Sequence, residues 1–544
     1  MNAKKIIECV PNFSEGRNQE TIKAIADAIR ETEGCTLLDV DPGASTNRTV
    51  YTFVGDPEAV VNGAFNAVAV AKDLIDMRTQ KGEHPRMGAM DVCPFVPVAN
   101  VTTEDCVECS KLFAERATKE LGLTFYLYEE ASTRDYRKHL PDIRKGEYEA
   151  MAEKVTKEGW KPDYWSGEFD PKWGVTATGS RFFLIAYNIN VLAPHNQAHR
   201  IALNLREAGR GEGKEGRLKE TKGMGWYVDE YGMAQITMNL NNYKVTPMHV
   251  AFEEAKKDAD ELGISLAGSE LVGLIPLEAM MMAADFYIER DGLFIYDESQ
   301  KIKLVIDRLG LNSVSQFIPQ KRIIEYIIEE EKNEPLASMT LRAFTEEVAA
   351  RTTAPGGGSV SAAIAGMGVG LGAMVTQLTY GVRKYEDVSE EMKKAIPNLL
   401  ATAQNLIPKV DEDTNAFNDY IDAIRLPKST DEEKQVRTDA MQNGLKKAIL
   451  SPLSVMKLGD CAWEQMEIAA RFGNFASVSD IEVGTRALEL GIWGAWRNVV
   501  VNMSDISDEV WKQEILSEAE VIKNRAKAKC DEILMILDER SKII

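Results

Sequence analysis

The sequence predicts a multidomain chain: two ferredoxin-like α/β subdomains followed by an all-α helical-bundle domain. Three observations predict it. At 544 residues the chain is longer than one hydrophobic core supports. Through residue 328, β-like runs alternate with amphipathic helices, and the order strand-helix-strand-strand-helix-strand occurs twice. After the charged run Glu329-Glu330-Glu331-Lys332-Asn333-Glu334-Pro335 the strand signal stops and helical periodicity takes over.

In chain order, 6–11 reads as a strand and 18–31 as a helix with Ile22, Ile25, Ala26 and Ile29 on one face. Segments 36–41 and 49–54 read as strands, and 57–76 as a helix with Pro57 in its first turn. A strand over 92–98, a helix over 103–121, a strand over 124–128 and a helix over 148–157 complete the first subdomain. The order restarts with a strand over 182–192, a helix over 196–206, strands over 225–228 and 233–240, a helix over 246–262 and a strand within 264–271. The helices of the last part are expected over 359–379, 389–406, 413–424, 430–450, 462–470, 481–503 and 507–537. Expected domains are therefore 1–180, 181–328 and 336–544, with 329–335 as the linker, which has no apolar face and ends at Pro335.

A formal net charge of −21 argues against nucleic acid or an anionic membrane as a partner, because phosphate binding wants a basic face. The start, Met1-Asn2-Ala3-Lys4-Lys5, carries charge where a secretory signal would be apolar, and no uninterrupted apolar stretch long enough to span a bilayer is expected. With seven scattered cysteines, the chain reads as a reduced cytoplasmic protein. Cys106 and Cys109 form a lone C-x-x-C inside a helix-like segment, so neither zinc nor redox use is expected there, and no metal site is expected elsewhere.

One stretch resists a packing explanation: Lys81-Gly82-Glu83-His84-Pro85-Arg86-Met87-Gly88-Ala89-Met90-Asp91. It holds one of five histidines. Gly82, Pro85 and Gly88 break any helix or strand, so His84 belongs on a stiff loop. Glu83, Arg86 and Asp91 offer the imidazole partners of both signs. From the residues alone, a proton-passing histidine and a surface histidine in a turn are both open.

This loop, with Glu8-Cys9-Val10-Pro11-Asn12-Phe13-Ser14-Glu15-Gly16 and Thr46-Asn47-Arg48-Thr49-Val50-Tyr51-Thr52-Phe53-Val54, resembles glutamate formimidoyltransferase. Ala354-Pro355-Gly356-Gly357-Gly358-Ser359-Val360 resembles the cyclodeaminase fused to it in the bifunctional formimidoyltransferase-cyclodeaminase family. The resemblance implies transfer of a formimino group from N-formimino-L-glutamate to tetrahydrofolate in histidine degradation, then cyclisation to 5,10-methenyltetrahydrofolate with loss of ammonia. It implies that His84 is the general base that becomes the acid. The family's folate-contacting segments match Trp165, Ser166, Gly167, Glu168, Phe169, Asp170, Pro171, Lys172, Trp173 and Gly174, and then Gln197, Ala198, His199, Arg200, Ile201, Ala202, Leu203, Asn204 and Leu205. Trp165, Phe169 and Trp173 suit a flat pterin ring, with ordinary core packing as the alternative, most of all for Phe169. Among the other histidines, His139 reads as a solvated face and His249 as packing, while the start of helix 196–206 can bind an anion.

No histidine follows His249, so proton transfer in the helical part falls to other groups. In Val410-Asp411-Glu412-Asp413-Thr414-Asn415-Ala416-Phe417 the resemblance assigns the catalytic acid to Asp413. Capping by Asp411 or Asp413 is the alternative, and Asp480 is a second carboxylate to test. The Pro355–Ser359 turn presents backbone N–H groups at a helix start. Ala362, Gly366, Gly370 and Ala373 suit close helix packing. A basic, glycine-rich segment (Arg206, Arg210, Lys214, Arg217, Lys219, Lys222), and in the helical part Arg383, Lys384 and Lys428, are candidates to hold a polyglutamyl tail, or plain surface charge. Implied partners are small molecules, the two substrates with polyglutamylated tetrahydrofolate as co-substrate; no nucleic acid or membrane; and a homo-oligomer, as in the family. A transferase whose helical part only assembles subunits is the alternative function.

Overall fold

Side chains of alternating strands decide the first layer of the fold, and their alternation places the functional groups. The computed structural model describes residues 5–82, 84–328 and 334–542. The expected linker falls outside the described residues over 329–333. The chain divides into two units, Met1–Glu329 and Glu330–Ile544.

In the first unit, β1 (Ile6–Cys9) and β2 (Asn12–Phe13) lead into α1 (Gln19–Arg30), β3 (Thr36–Gly43), β4 (Arg48–Gly55), α2 (Pro57–Leu74) and β5 (Met90–Ala99). Asn18 accepts the free N–H groups of Glu20 and Thr21, starting α1, whose Ile22, Ile25, Ala26 and Ile29 are buried as the periodicity predicts. Strand β1 lies between β5 and β4, antiparallel to both, and β3 pairs with the outer side of β4. That β5-β1-β4-β3 arrangement is the ferredoxin-like core. The sheet continues through α3 (Thr103–Leu121), β6 (Phe125–Glu129), α4 (Leu140–Arg144), α5 (Glu147–Lys154) and β7 (Thr176–Ser180), with β7 parallel to both β5 and β6. The sequence reading lacks β7. Its Thr-Ala-Thr-Gly-Ser string has no apolar alternation, because Thr176 and Thr178 are buried by donating to Met90 O at 2.7 Å and Cys93 O at 2.8 Å.

The second subdomain comprises β8 (Ile185–Leu192), α6 (His195–Leu205), β9 (Thr221–Val228), β10 (Met233–Leu240), α7 (Met248–Leu262) and β11 (Ser265–Val272), in sheet order β11-β8-β10-β9. Helices α8 (Leu277–Asp291), α9 (Glu298–Leu309), α10 (Pro319–Arg322) and α11 (Ile324–Ile327) follow. On the first sheet, Ile7, Cys9, Tyr51 and Phe53 enter the core under α1–α3. Their strand neighbours Ile6, Val54, Val96 and Val98 point the other way and share a core with β8, β10, α6 and α8.

The second unit runs α12 (Leu341–Val348), α13 (Gly357–Thr379), α14 (Ser389–Leu406), α15 (Lys409–Arg425), α16 (Asp431–Asp460), α17 (Trp463–Phe472), α18 (Val478–Asn502) and α19 (Glu509–Lys542). Among the described residues it has no strand. α13 is long and apolar enough to cross a membrane by composition, contrary to the sequence expectation, but 56 % of its apolar window is buried in the bundle. It meets α18 through glycines: a Cβ on Gly368 would lie 2.7 Å from Gly484 O, and one on Gly491 2.8 Å from Ser361 O. The expected stripe is only partly used, since Gly370 faces open space. α16 runs ten residues past its predicted end, through Pro452. Proline removes the donor for Ala448 O, and Asn502 Nδ2 supplies another at 3.2 Å.

Candidate active sites

Two clusters, one in each unit, gather the residues singled out above. In the first unit, the loop bearing His84 is clamped at both ends by glycine. A Cβ on Gly82 would fall 2.0 Å from Thr46 O, and one on Gly88 2.3 Å from Val175 O. His84 is half-buried. Its Nδ1 lies 2.7 Å from Pro85 O and 3.1 Å from Arg48 Nη1. The two contacts require opposite tautomers. Arg48 already donates to Asp91 and Asn12, so the shorter contact governs: Nδ1–H donates to Pro85 O, and Nε2 keeps its lone pair. Burial and then the Arg48 charge hold the imidazole below its ordinary value of 6.5.

Asp91 organises this arrangement. Fully buried at the start of β5, it accepts from Arg48 Nη1 and Arg144 Nη2, both at 2.6 Å, and from Met87 N at 3.0 Å. One carboxylate thus ties β4, α4 and the histidine loop together. The flanking partners expected for His84 differ. Arg86 turns to Glu147 and Glu149 at 3.1 and 2.8 Å, Asp91 acts through Arg48, and Glu83 lies outside the described residues. Sequence reasoning missed Arg48 and Arg144. Arg48 stands in a quoted motif, whereas nothing local connects Arg144 to a carboxylate 53 positions away.

The 165–174 segment lies beside this loop. Ala89 N donates to Trp173 O at 2.8 Å and Val175 N to Met87 O at 2.9 Å. Gly174 holds φ +81°, and a Cβ there would lie 2.4 Å from Met87 O. Trp165 donates to Glu168 O at 3.0 Å, and Trp165 and Phe169 are partly buried against Tyr126, Met151 and Val155. Trp173 corrects the aromatic expectation. It is 1 % exposed, packed in the helix-side core with Nε1 donating to Thr176 Oγ1 at 3.2 Å, so its ring offers no face for stacking. Core packing, the alternative held open most of all for Phe169, is complete at Trp173 and only partial at Phe169.

Helix α6 carries the second segment. Ala198, Ile201, Ala202 and Leu205 are fully buried toward the sheet, which corrects any direct side-chain contact for those four. Gln197, His199, Arg200, Leu203 and Asn204 stay at least partly exposed, with His199 Nδ1 accepting from Gly225 N–H of β9 at 3.3 Å. His199 stacks on His195 at 5.7 Å, and Asn204 donates to Asp258 at 2.7 Å. The basic segment after α6 is a built turn: Arg210 N donates to Lys214 O at 3.0 Å, and Arg217 pairs with Glu254 at 2.8 Å and Asp258 at 2.7 Å. His249 is core as expected, stacked 4.5 Å from Phe286, with burial pushing its imidazole down to about 4. His139 is exposed beside Glu129 at 3.1 Å.

In the second unit, Asp413 sits in the second turn of α15 and reaches the N-terminus of α13. Its carboxylate lies against Gly358, where a Cβ would fall 2.1 Å from Oδ1. It accepts from the Ser359 backbone N–H and lies 3.5 Å from Ser359 Oγ. Ser359 Oγ is 3.2 Å from Thr414 Oγ1. Burial raises the Asp413 acid above its ordinary value of 3.8 against these hydrogen bonds. Its neighbours have other work. Asp411 is buried and accepts Leu336 N and Ala337 N at 2.8 and 2.9 Å, while Glu412 pairs with Lys409 at 2.6 Å and leaves Oε1 buried without a partner. Asp480 is half-buried in the first turn of α18. Asp413 caps a helix, but it caps α13 across the bundle rather than its own helix.

Family models match most of the chain: "Formiminotransferase domain, N-terminal subdomain" over residues 6–181, "Formiminotransferase domain" over 186–329, and "Formiminotransferase-cyclodeaminase" over 340–521. The chain is 55 % identical to the formimidoyltransferase-cyclodeaminase of Dictyostelium discoideum, over 98 % of this chain and 99 % of that one. It is 48 % identical to that of Rattus norvegicus over the same shares. The glutamate formimidoyltransferase of Streptococcus pyogenes serotype M1 matches at 42 % identity over 52 % of this chain and 94 % of its own.

Proposed function

The chain belongs to the formimidoyltransferase-cyclodeaminase family, and from that premise we propose which of its residues run the two reactions. It is a bifunctional folate enzyme. It transfers the formimino group of N-formimino-L-glutamate to N5 of tetrahydrofolate, then cyclises the product to 5,10-methenyltetrahydrofolate with release of ammonia.

The transfer is assigned to His84. As N5 attacks the amidine carbon, Nε2 takes the N5 proton; as the tetrahedral intermediate collapses, it returns that proton to the departing glutamate nitrogen. The observation that supports this is the Nδ1 contact to Pro85 O, which leaves Nε2 basic, in a site whose lowered imidazole is neutral at physiological pH. Folate is assigned to the 165–174 segment and the outer residues of α6. The cyclisation is assigned to Asp413, whose carboxylate takes the N10 proton as N10 closes on the amidinium carbon and gives it to the leaving ammonia. Residues 1–180 and 181–328 are read as the transferase subdomains and 336–544 as the cyclodeaminase. The seven free cysteines support a reduced, cytoplasmic setting, with a homo-oligomer acting on polyglutamylated folate.

The two assignments are tested on the full chain. His84→Ala is expected to lose transfer by about 10²–10⁴-fold while still cyclising supplied 5-formiminotetrahydrofolate, and Asp413→Asn to do the reverse. Near-normal transfer by the first variant, or undiminished ammonia release by the second, refutes the corresponding role.

A further inference from the structure

Glu8 is a buried carboxyl that neither reaction uses. It stands on β1 with Ile7 and Cys9 pointing to the helix-side core and its own side chain on the opposite face, with Ile6. It is 5 % exposed. Among the described residues no hydrogen bond reaches its carboxylate, and Arg181 is the cation acting on it. Burial pushes the acid up to about 7. A buried carboxyl without a hydrogen bond costs free energy that a valine on this strand would not, so a ligand is the reason to look for.

The surroundings say which ligand. Glu8 pairs with Val54 and Val96, both in the core shared with the second sheet, so one side of it is closed. On the other side, Val50 and Thr52 of β4 share its face and are only half-buried, and the floor continues to Asn12 and Arg48, beside His84. The register against β5 is continuous from Glu8–Val96 to Asn12–Val92, which sets Glu8 and Asn12 roughly 13 Å apart at ~3.3 Å per residue. Tyr128 lies over β7 on this face: a Cβ on Gly179 would meet its Cδ1 at 2.9 Å. Arg181 also acts on the Tyr128 phenol. Glu8, Tyr128 and the Arg181 guanidinium thus gather at one end of this face, and the proton-transfer site lies further along the same floor.

We propose that Glu8 selects the pterin, its carboxylate accepting hydrogen bonds from N3–H and the 2-amino group while Tyr128 and Arg181 face the 4-oxo oxygen. This rests on the transferase reading above and deepens it by naming the group that recognises the ring. Adjacent donors match a carboxylate's two oxygens, and the neighbouring acceptor matches the phenol and guanidinium. N5 belongs to the second ring, on the same side as the 4-oxo oxygen, so a pterin held by its N3 edge at Glu8 directs N5 along the floor toward His84.

The test uses the full chain and two folates: tetrahydrofolate and its 2-deamino-2-methyl analogue, which lacks the amino donor. The wild-type chain is expected to transfer to tetrahydrofolate with a kcat/KM at least about tenfold higher. Glu8→Gln, isosteric and uncharged, is expected to erase most of that preference by raising KM for tetrahydrofolate, with KM for N-formimino-L-glutamate unchanged. Glu8→Asp, which keeps the charge but withdraws it, is expected to fall between. Either of two results overturns the proposal: a wild-type chain that does not distinguish the folates, or a variant that keeps the preference while KM rises for both substrates. Failure of the wild-type chain to transfer at all would instead overturn the transferase reading.

Discussion

Gly358→Ala separates position from chemistry at the second site. The added Cβ would lie 2.1 Å from Asp413 Oδ1 and 2.3 Å from both Cγ and Oδ2. Ordinary contact needs about 3.5 Å, so the carboxylate must retreat by roughly 1 Å or more. It is the free end of a side chain, so it can move without the backbone. Gly358 lies in the first turn of α13, where alanine favours the helix by up to about 1 kcal/mol. Overpacking costs about 1–3 kcal/mol, and the net change in stability is therefore small. Activity responds differently, because a displacement of about 1 Å costs a positioned catalytic group on the order of 10²-fold. Ammonia release from supplied 5-formiminotetrahydrofolate should fall by about that factor. Formimino transfer by the same molecules should not change, which makes it the internal control. A variant that cyclises at the wild-type rate would show that Asp413 need not stand where it does, and the assignment would fail with it.

Asp91→Asn leaves two guanidiniums without their buried counter-charge, and the loss is expected to be about 3–5 kcal/mol in denaturant unfolding of the transferase unit. It also removes the carboxylate that raises the His84 pKa while Arg48 and Arg144 continue to lower it, so the acid limb of transfer should move to lower pH. In the wild-type chain, kcat for transfer at saturating folate should fall as pH drops, with its midpoint below 6.5, because the neutral imidazole is the working form. The same shift bears on stability. His84 binds its proton more weakly when folded, so its contribution is intact above 6.5 and is lost as pH falls below that value. A kcat limb with its midpoint above 6.5 would contradict the environment described for the ring.

The sequence made His84 visible because glycine and proline leave no helix or strand for it to belong to. It did not show what holds the ring, since Asp91 draws on arginines from β4 and α4, 43 and 53 positions away. The same limit explains the acidic motif. Asp411, Glu412 and Asp413 are adjacent, yet one anchors Leu336, one pairs with Lys409 and one reaches Gly358. Helical geometry turns neighbours about 100° apart, and only the packing partner tells which direction matters. Aromatic residues misled for a related reason: Trp173 and Phe169 share a loop, and its turn at Asp170, not composition, sends the first inward. Pro452 stops α16 on paper and not in the bundle, because Asn502 from α18 completes the carbonyl that proline abandons.

The two sites also differ in the direction in which their environments push. Burial lowers His84 and raises Asp413, and in each case it disfavours the charged form. For the imidazole that is the useful result, because transfer begins with a neutral base facing the N–H of a neutral secondary amine. For the carboxylate it works against the charge that an amidinium needs, and the Ser359 N–H and hydroxyl at the α13 terminus act in the opposite sense. The helix terminus offsets part of the burial that disfavours the anion. It follows that Ser359 belongs with Asp413 as a positioning residue, and that the glycine before it is there to let the carboxylate approach.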